Sequence, residues 1–374
     1  MIKSRQVPLF KPYVNQKAIA NAIKVLQSGW IGEGPVSEEF ERKVGDVLGV
    51  SYPVLTNSGT AALHLALILA GVHPGDEVIT TAMTCTATNH PILMCGATPI
   101  FADIDYQTGN VDPADIERRI TEQTKAILVT HWGGYPCDME SINQIGPKLD
   151  KHIAIIQDGA HAQGAYLNGY PIARWSDFFM TSFQAIKTVT MVDGGLLGCR
   201  FPGDAEEAKR LRWFAIDRQH RELAPDGYYN HRDIDRVGYK YQPNDVAAAI
   251  GLGNLEDFVE LVKQRQRIAK MYENKLRGVS GVTPFKNDPG YDSAYWLFSI
   301  HVENRDDFIA AMKDRGVGAG VVHRRNDVYG VFGGRRSDLP NLDRYEKTYV
   351  SIPIHNMMTY EDAGYVIECI KRGW

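Results

Sequence analysis

Three short segments of this chain carry residue types that could do chemistry together. The first is Asn57-Ser58-Gly59-Thr60-Ala61-Ala62-Leu63, which follows an apolar run and opens a helical one. The first N–H groups of a helix have no partner inside it and sit at the positive end of its dipole, so Gly59 and Thr60 would offer donors to an anion. Taken alone, Ser58 could equally be an ordinary helix cap. The second segment, Ile155-Ile156-Gln157-Asp158-Gly159-Ala160-His161, ends an apolar strand in a carboxylate. Open parallel sheets build their sites at that edge, so Asp158 is a candidate to hold a cation, with a turn or cap role as the alternative. The third is Thr181-Ser182-Phe183-Gln184-Ala185-Ile186-Lys187, uncharged apart from its lysine and followed by the small residues of Asp193-Gly194-Gly195. Withdrawal from water favours a neutral amine, and a neutral amine attacks an aldehyde to form a Schiff base.

Each segment is weak by itself, but together they are the parts that pyridoxal-phosphate (PLP) chemistry requires. A phosphate needs N–H donors and a hydroxyl such as that of Ser182. A pyridine nitrogen needs a carboxylate, here Asp158, so that it stays protonated and the ring can accept electrons. A lysine carries the cofactor and, once released, moves a proton between substrate and cofactor. Lys187 fits that role.

These residues need a scaffold that brings strand ends together. From Val54 to about Phe183 short apolar runs alternate with helical patterns, the signature of an α/β domain with a parallel sheet covered on both faces. Strands are expected over Pro53–Leu55, Glu77–Thr80, Pro99–Ala102, Ala126–Thr130, Ile153–Gln157 and Phe178–Ser182, with Leu196–Arg200 closing a mostly parallel set of seven. Helices fit Thr60–Leu69, Thr88–Met94, Pro113–Ile120 and Met139–Leu149 between them. Upstream, Gln16–Gln27 and Ser37–Leu48 read as amphipathic helices around a glycine-rich turn. One helical stretch from Asn244 to Leu276 leads to a strand at Trp296–Val302 and a helix at Arg305–Arg315. The expected division is 1–259, the N-terminal helices with the large domain, and 260–374, a small C-terminal domain.

Composition narrows the remaining options. With 374 residues two domains are the natural split, and the formal charge of -4 comes with no block of Lys or Arg suited to a nucleic-acid backbone. The apolar run from Ala61 to Val72 is too short for a bilayer, and the N-terminus lacks a continuous apolar signal region, so no membrane partner is expected. Cys85, Cys95, Cys137, Cys199 and Cys369 form an odd set without CxxC spacing. That pattern argues against a disulfide framework and a zinc site, leaves no metal to expect, and points to a reducing cytoplasm. No internal repeat or low-complexity tract is present.

The chain resembles the DegT/DnrJ/StrS family of sugar aminotransferases, within the fold type I PLP enzymes. The likeness runs from Val7-Pro8-Leu9-Phe10-Lys11-Pro12 and Ser28-Gly29-Trp30-Ile31-Gly32-Glu33-Gly34-Pro35 through Ser58-Gly59-Thr60-Ala61-Ala62-Leu63-His64 and Gly75-Asp76-Glu77-Val78-Ile79 to Asp158-Gly159-Ala160-His161-Ala162. It implies that Lys187 forms the Schiff base and Asp158 pairs with the pyridine nitrogen. By the same likeness His161 lies near the ring or its 3-oxygen, while Ser58, Gly59, Thr60 and Ser182 surround the phosphate. Two departures stand out. Thr84-Cys85-Thr86 offers Cys85 where relatives stack an aromatic on the ring, and Gly238-Tyr239-Lys240-Tyr241 has Lys240 where relatives carry an Asn that reaches the partner subunit's phosphate.

The family's sugar dehydratases carry His in place of the lysine, so Lys187 favours transamination. The implied reaction moves an amino group from glutamate or a similar donor to a nucleotide-linked keto sugar, in a homodimer with shared active sites. Candidates to hold the sugar nucleotide are Trp30 with the turn at Gly29–Gly34, Trp213 with Arg218, and His323 with Arg324 and Arg325. Two other readings compete: an aminotransferase acting on a free cyclitol or other keto compound, and a PLP-binding regulator without turnover.

Overall fold

The central sheet lines up strand ends along one edge, and that edge positions the site. A computed structural model describes residues 5–218, 220–230 and 233–374. The seven strands are β1 (Tyr52–Thr56), β2 (Glu77–Thr81), β3 (Thr98–Ala102), β4 (Thr124–Thr130), β5 (Ala154–Asp158), β6 (Phe178–Ser182) and β7 (Gly195–Cys199), in spatial order β1-β7-β6-β5-β4-β2-β3. Strands β2 to β6 pair in parallel, whereas β7 is antiparallel to both β1 and β6. Strand β7 completes the set of seven and lies second from an edge, between β1 and β6. A direct return from β6 through residues 183–194, without a crossover helix, makes the pair antiparallel.

Helices on both faces explain why the strands read as continuous apolar runs; all five residues of β5 are buried. The helices are α1 (Gln16–Ser28), α2 (Pro35–Leu48), α3 (Gly59–Leu69), α4 (Thr86–Met94), α5 (Pro113–Arg119), α6 (Met139–Lys148) and α7 (Pro202–Leu211). Helix α3 is apolar nearly all round because it is sunk between sheet and neighbours, with Ala62, Leu63, Leu65, Ala66 and Leu67 fully buried.

The single helix expected over Asn244–Leu276 is in fact two, α8 (Asp245–Leu255) and α9 (Phe258–Leu276). Asp257, at the break, accepts hydrogen bonds from Tyr13 Oη and Asn15 Nδ2 at 2.6 Å each, and Asn254 Oδ1 accepts from the Asn15 amide at 3.0 Å. These anchors, distant in sequence, outweigh the helical pattern. The first turns of α9 pack on the large sheet's core through Phe258 and Val262, and its later turns on a second core through Ile268, Ala269 and Tyr272. That second core surrounds a three-stranded antiparallel sheet of β8 (Val282–Pro284), β9 (Phe298–Val302) and β10 (Tyr349–Ile352), flanked by α10 (Arg305–Asp314), α11 (Pro340–Thr348) and α12 (Tyr360–Lys371). Val7 joins it by a parallel bridge to Val317. Among the described residues no helix is long and apolar enough to cross a membrane.

Candidate active site

The carboxyl ends of β1, β2, β4, β5 and β6 meet at one edge of the sheet, as open parallel sheets require for a site. Asp158 is the last residue of β5 and is buried. Its carboxylate accepts from Thr88 Oγ1 at 2.6 Å and the Ala160 amide at 3.0 Å. Thr88 lies in the first turn of α4, and its hydroxyl is 2.7 Å from that of Thr84, which is 3.1 Å from that of Thr130. Burial raises the pKa of Asp158, against Thr88, Ala160 and the charge of Lys187. Such a carboxylate is suited to a cationic partner, as a protonated ring nitrogen would be.

Lys187 ends the turn that leaves β6, its amide donating to Gln184 O at 2.9 Å. Its Nζ lies 3.8 Å from the ring centroid of Trp296, which stacks on His161 at 3.9 Å and donates from Nε1 to Ile186 O at 3.1 Å. The lysine as a whole residue is half-buried. Loss of water around the amine brings its pKa down to about 8; Asp158 and Cys85 act upward and Arg265 downward. Both His161 and His323 are neutral in this setting. Burial and the nearby Lys187 lower His161 well below the usual range and His323 to about 4. Their rings are parallel with centroids 5.7 Å apart, and His161 Nδ1 and His323 Nε2 are buried without a hydrogen-bond partner. Buried nitrogens near the lysine, unpaired among the described residues, are what a polar ligand would satisfy.

The anion cradle is built by close packing. Ser58 Oγ caps α3 by accepting from the Ala61 amide at 3.1 Å, and Gly59 and Thr60 supply the two preceding N–H groups. A Cβ on Gly59 would stand 3.1 Å from the Ser182 Cβ, and one on Gly195 only 2.4 Å from Ser58 O. The absence of both side chains lets the helix start, β6 and β7 converge. A phosphate at this helix start, a ring nitrogen at Asp158 and an aldehyde carbon at Lys187 therefore fit PLP. Cys85 stands at the cap position of α4 without using its thiol as a cap, close enough to act on Lys187.

A second group of candidates lies apart from the lysine. Lys240 is exposed with Nζ 3.9 Å over the Trp213 ring, and the Arg218 guanidinium lies 5.4 Å from the same ring. Glu33, in the glycine-rich turn, pairs with Arg212 at 2.5 Å and Arg218 at 2.6 Å, and Trp30 beside it is 62% exposed. This cluster is joined to the cradle through Asn57, whose side chain donates to Lys240 O at 3.0 Å. Of the arginine pair, Arg324 is exposed, but Arg325 is fully buried in ion pairs with Asp327 and Asp343. Arg325 is therefore structural and is withdrawn as a substrate contact. Among the described residues no group of His, Cys, Asp and Glu is arranged to hold a metal.

Trp296, Thr88 and Trp132 belong to the site but not to the sequence reading. Trp132, at the end of β4, meets both His161 and His323 edge-on with centroids 5.9 Å away. Trp296 and Trp132 carry no signal beyond that of core aromatics. Thr88 had one: a hydroxyl in the first turn of a helix that faces the Asp-bearing edge.

A lysine prepared for a Schiff base, a buried strand-end aspartate and a helix-start cradle on a seven-stranded sheet define a PLP-dependent enzyme of fold type I. The DegT/DnrJ/EryC1/StrS aminotransferase family model matches residues 12–371, and the chain belongs to that family. It is 33% identical to the UDP-4-amino-4-deoxy-L-arabinose–oxoglutarate aminotransferase of Shewanella sediminis, over 98% of this chain and 97% of that one. It is 32% identical to the spore coat polysaccharide biosynthesis protein SpsC of Bacillus subtilis, over 99% and 98% of the two chains. The sugar aminotransferase CalS13 of Micromonospora echinospora superposes with a TM-score of 0.93 at 34% identity, over 99% and 100%. Spr1654 of Streptococcus pneumoniae, solved in PLP and PMP forms, superposes with a TM-score of 0.91 and 0.90 respectively at 28% identity, over 98% of each chain. The protein is thus a sugar aminotransferase with pyridoxal phosphate as cofactor.

Proposed function

We propose that the enzyme moves an amino group from glutamate or a similar donor onto a nucleotide-linked keto-deoxy sugar, giving an amino sugar for glycan or polysaccharide assembly. The observation that carries this reading is the buried Lys187 amine, opposite Asp158 and under Trp296. When bound, pyridoxal phosphate supplies the carbon that takes the amine and a ring that draws off electrons. The chain's own residues do the rest. Asp158, fixed by Thr88, holds the ring nitrogen's proton, and the start of α3 with Ser182 binds the phosphate. Lys187, with its proton affinity lowered into the physiological range, takes a proton from the substrate carbon and returns it. His161 orients the ring. His323 and Arg324, with Trp30, Trp213 and Arg218, are the proposed contacts to the sugar nucleotide, and the name of the Shewanella relative supports a nucleotide sugar and an oxoglutarate-linked donor. Five free cysteines suit a reducing cytoplasm.

The test is a screen of keto-sugar nucleotides with glutamate and PLP, read by mass spectrometry. A gained amine is expected with the native protein and none with Lys187→Ala. Amination of nucleotide-free sugars or cyclitols alone would refute the nucleotide assignment.

We further propose a homodimer in which Lys240 of one subunit reaches the phosphate at the other's cradle. Its ammonium is exposed, and among the described residues no carboxylate lies within ion-pair distance. Each subunit of a two-fold dimer would lend one such lysine and receive one. Lys240→Ala should bind PLP more weakly, since a charge-assisted contact to phosphate is stronger than a neutral one. Re-pairing inactive Lys187→Ala and Lys240→Ala subunits at random should restore about a quarter of the sites. No recovery would place Lys240 in its own subunit's site.

A further inference from the structure

Arg265 is a buried cation with an unusual set of partners. It projects from α9, is 2% exposed, and among the described residues has no carboxylate within 4 Å. Its Nε donates to Asn356 Oδ1 at 2.7 Å, and Nη1 to Tyr295 O and Trp296 O at 3.2 Å each. Asn356 in turn donates from Nδ2 to Thr188 O at 2.8 Å, directly beside Lys187. One guanidinium therefore grips the backbone of the residue that covers the lysine and, through one amide, the backbone that carries the lysine. The grip has work to do, because Tyr295 lies at φ 46°, a left-handed conformation costly for a tyrosine. Buried arginines ordinarily sit opposite carboxylates, and this one instead donates from Nε and Nη1 to carbonyl oxygens.

We propose that Arg265 is a positioning residue of the Lys187 site, clamping Trp296 over the amine and, through Asn356, holding the chain at Thr188. The inference rests on Lys187 being the reactive amine, but not on the identity of the sugar or donor. The charged and titratable groups around the amine are Asp158 at the end of β5, Cys85 before α4, His161 after β5, His323 and Arg265 itself. Two effects of the clamp hold the proton affinity of the amine down, against the Trp296 ring face 3.8 Å from Nζ, which favours the ammonium. Trp296 keeps water off the amine, and the uncompensated guanidinium disfavours a second positive charge. Loss of the clamp should therefore make the lysine more basic.

The experiment is competitive acylation of full-length, cofactor-free protein across pH, with the Lys187 peptide quantified by mass spectrometry. The wild-type midpoint, expected at about 8, tests the role of the lysine. The change on substitution tests the clamp. Arg265→Lys keeps the charge but loses the fork, and Arg265→Met loses both. The midpoint should rise by about one pH unit or more in Arg265→Lys and further in Arg265→Met. Asn356→Ala, which leaves Arg265 on Tyr295 and Trp296, should move it the same way by less, and serves if the arginine variants do not fold. Folded variants with the wild-type midpoint would overturn the proposal by reducing Arg265 to a packing role. A shift confined to Arg265→Met would also overturn it, because charge alone would then suffice.

Discussion

By the likeness read in the sequence, Cys85 takes the place of an aromatic on the cofactor ring, and we propose that its thiol covers the ring there. A thiol contributes a small, polarisable surface, whereas an aromatic contact is worth about 0.5–1.5 kcal/mol beyond the area it buries. Cys85→Phe is expected to retain PLP and to bind it up to about tenfold more tightly, as measured by cofactor release on dilution. Release faster than wild type would mean that the thiol does not face the ring. At this scale the sequence was most readable where a residue's place follows from its own segment. Asp158 ends an apolar strand, Gly59 opens a helix, and Lys187 follows a strand in an uncharged stretch. Trp296 was opaque because it reaches the lysine from the small domain's side, and a tryptophan before a strand looks like any core aromatic. The half-buried Trp213 is a candidate on the sequence together with Arg218, but its closeness to the Lys240 and Arg218 cations is not visible there.

Between helix α3 and strand β7 there is no room for a methyl group, and this contact governs the cradle. A Cβ at Gly195 would lie 2.4 Å from Ser58 O and 2.5 Å from Gly59 N, both backbone atoms that can give way only by moving the helix start. Gly195→Ala is expected to cost about 1–3 kcal/mol of stability and to weaken PLP binding, because the N–H groups of Gly59 and Thr60 would be pushed off their line. Thermal melts and a PLP titration check it, and an unchanged affinity would show that the cradle tolerates the shift. Gly203→Ala, where a Cβ meets nothing within 4 Å, is the control. The strands and most helices of the large domain were legible because alternation of short apolar runs with helical patterns is a local signal. The place of β7 was not, since order and direction in a sheet depend on how the chain returns. The break between α8 and α9 was also hidden, because Tyr13 and Asn15 hold Asp257 from the other end of the chain.

Over the whole molecule, buried histidines set the response to acid. Burial lowers His64, His131, His301, His323 and His355 to about 4, and holds His161 well below the usual imidazole range. Unfolded, each would titrate near 6.5. As pH falls from 6.5 to 4 the unfolded chain gains protons that the folded chain refuses, so stability present above this window is lost within it. Two aspartates oppose the trend: Asp158 and Asp204 have raised pKa values and take up protons in the folded state first. Carboxylates held low by partners, such as Asp115 with its two arginines and Asp257 with Asn15 and Tyr13, begin to lose their contribution only as pH nears the unfolded carboxylate value of about 4, and so add to the loss at the foot of the window. Six histidines outweigh two aspartates, and each unbalanced proton changes the unfolding free energy by about 1.4 kcal/mol per pH unit. Denaturant melts of cofactor-free protein between pH 7 and 4 should therefore show stability falling steeply with acid, with a slope of several protons. His64→Phe keeps a ring against Tyr239, which the histidine meets edge-on at 4.9 Å, but removes the titrating nitrogen. It should be less stable than wild type at pH 7, because Tyr241 Oη loses the partner 3.1 Å away, yet its acid slope should be shallower by about one proton. A slope equal to wild type would mean that His64 is not buried neutral, and a flat profile in both proteins would mean that the histidines titrate alike folded and unfolded.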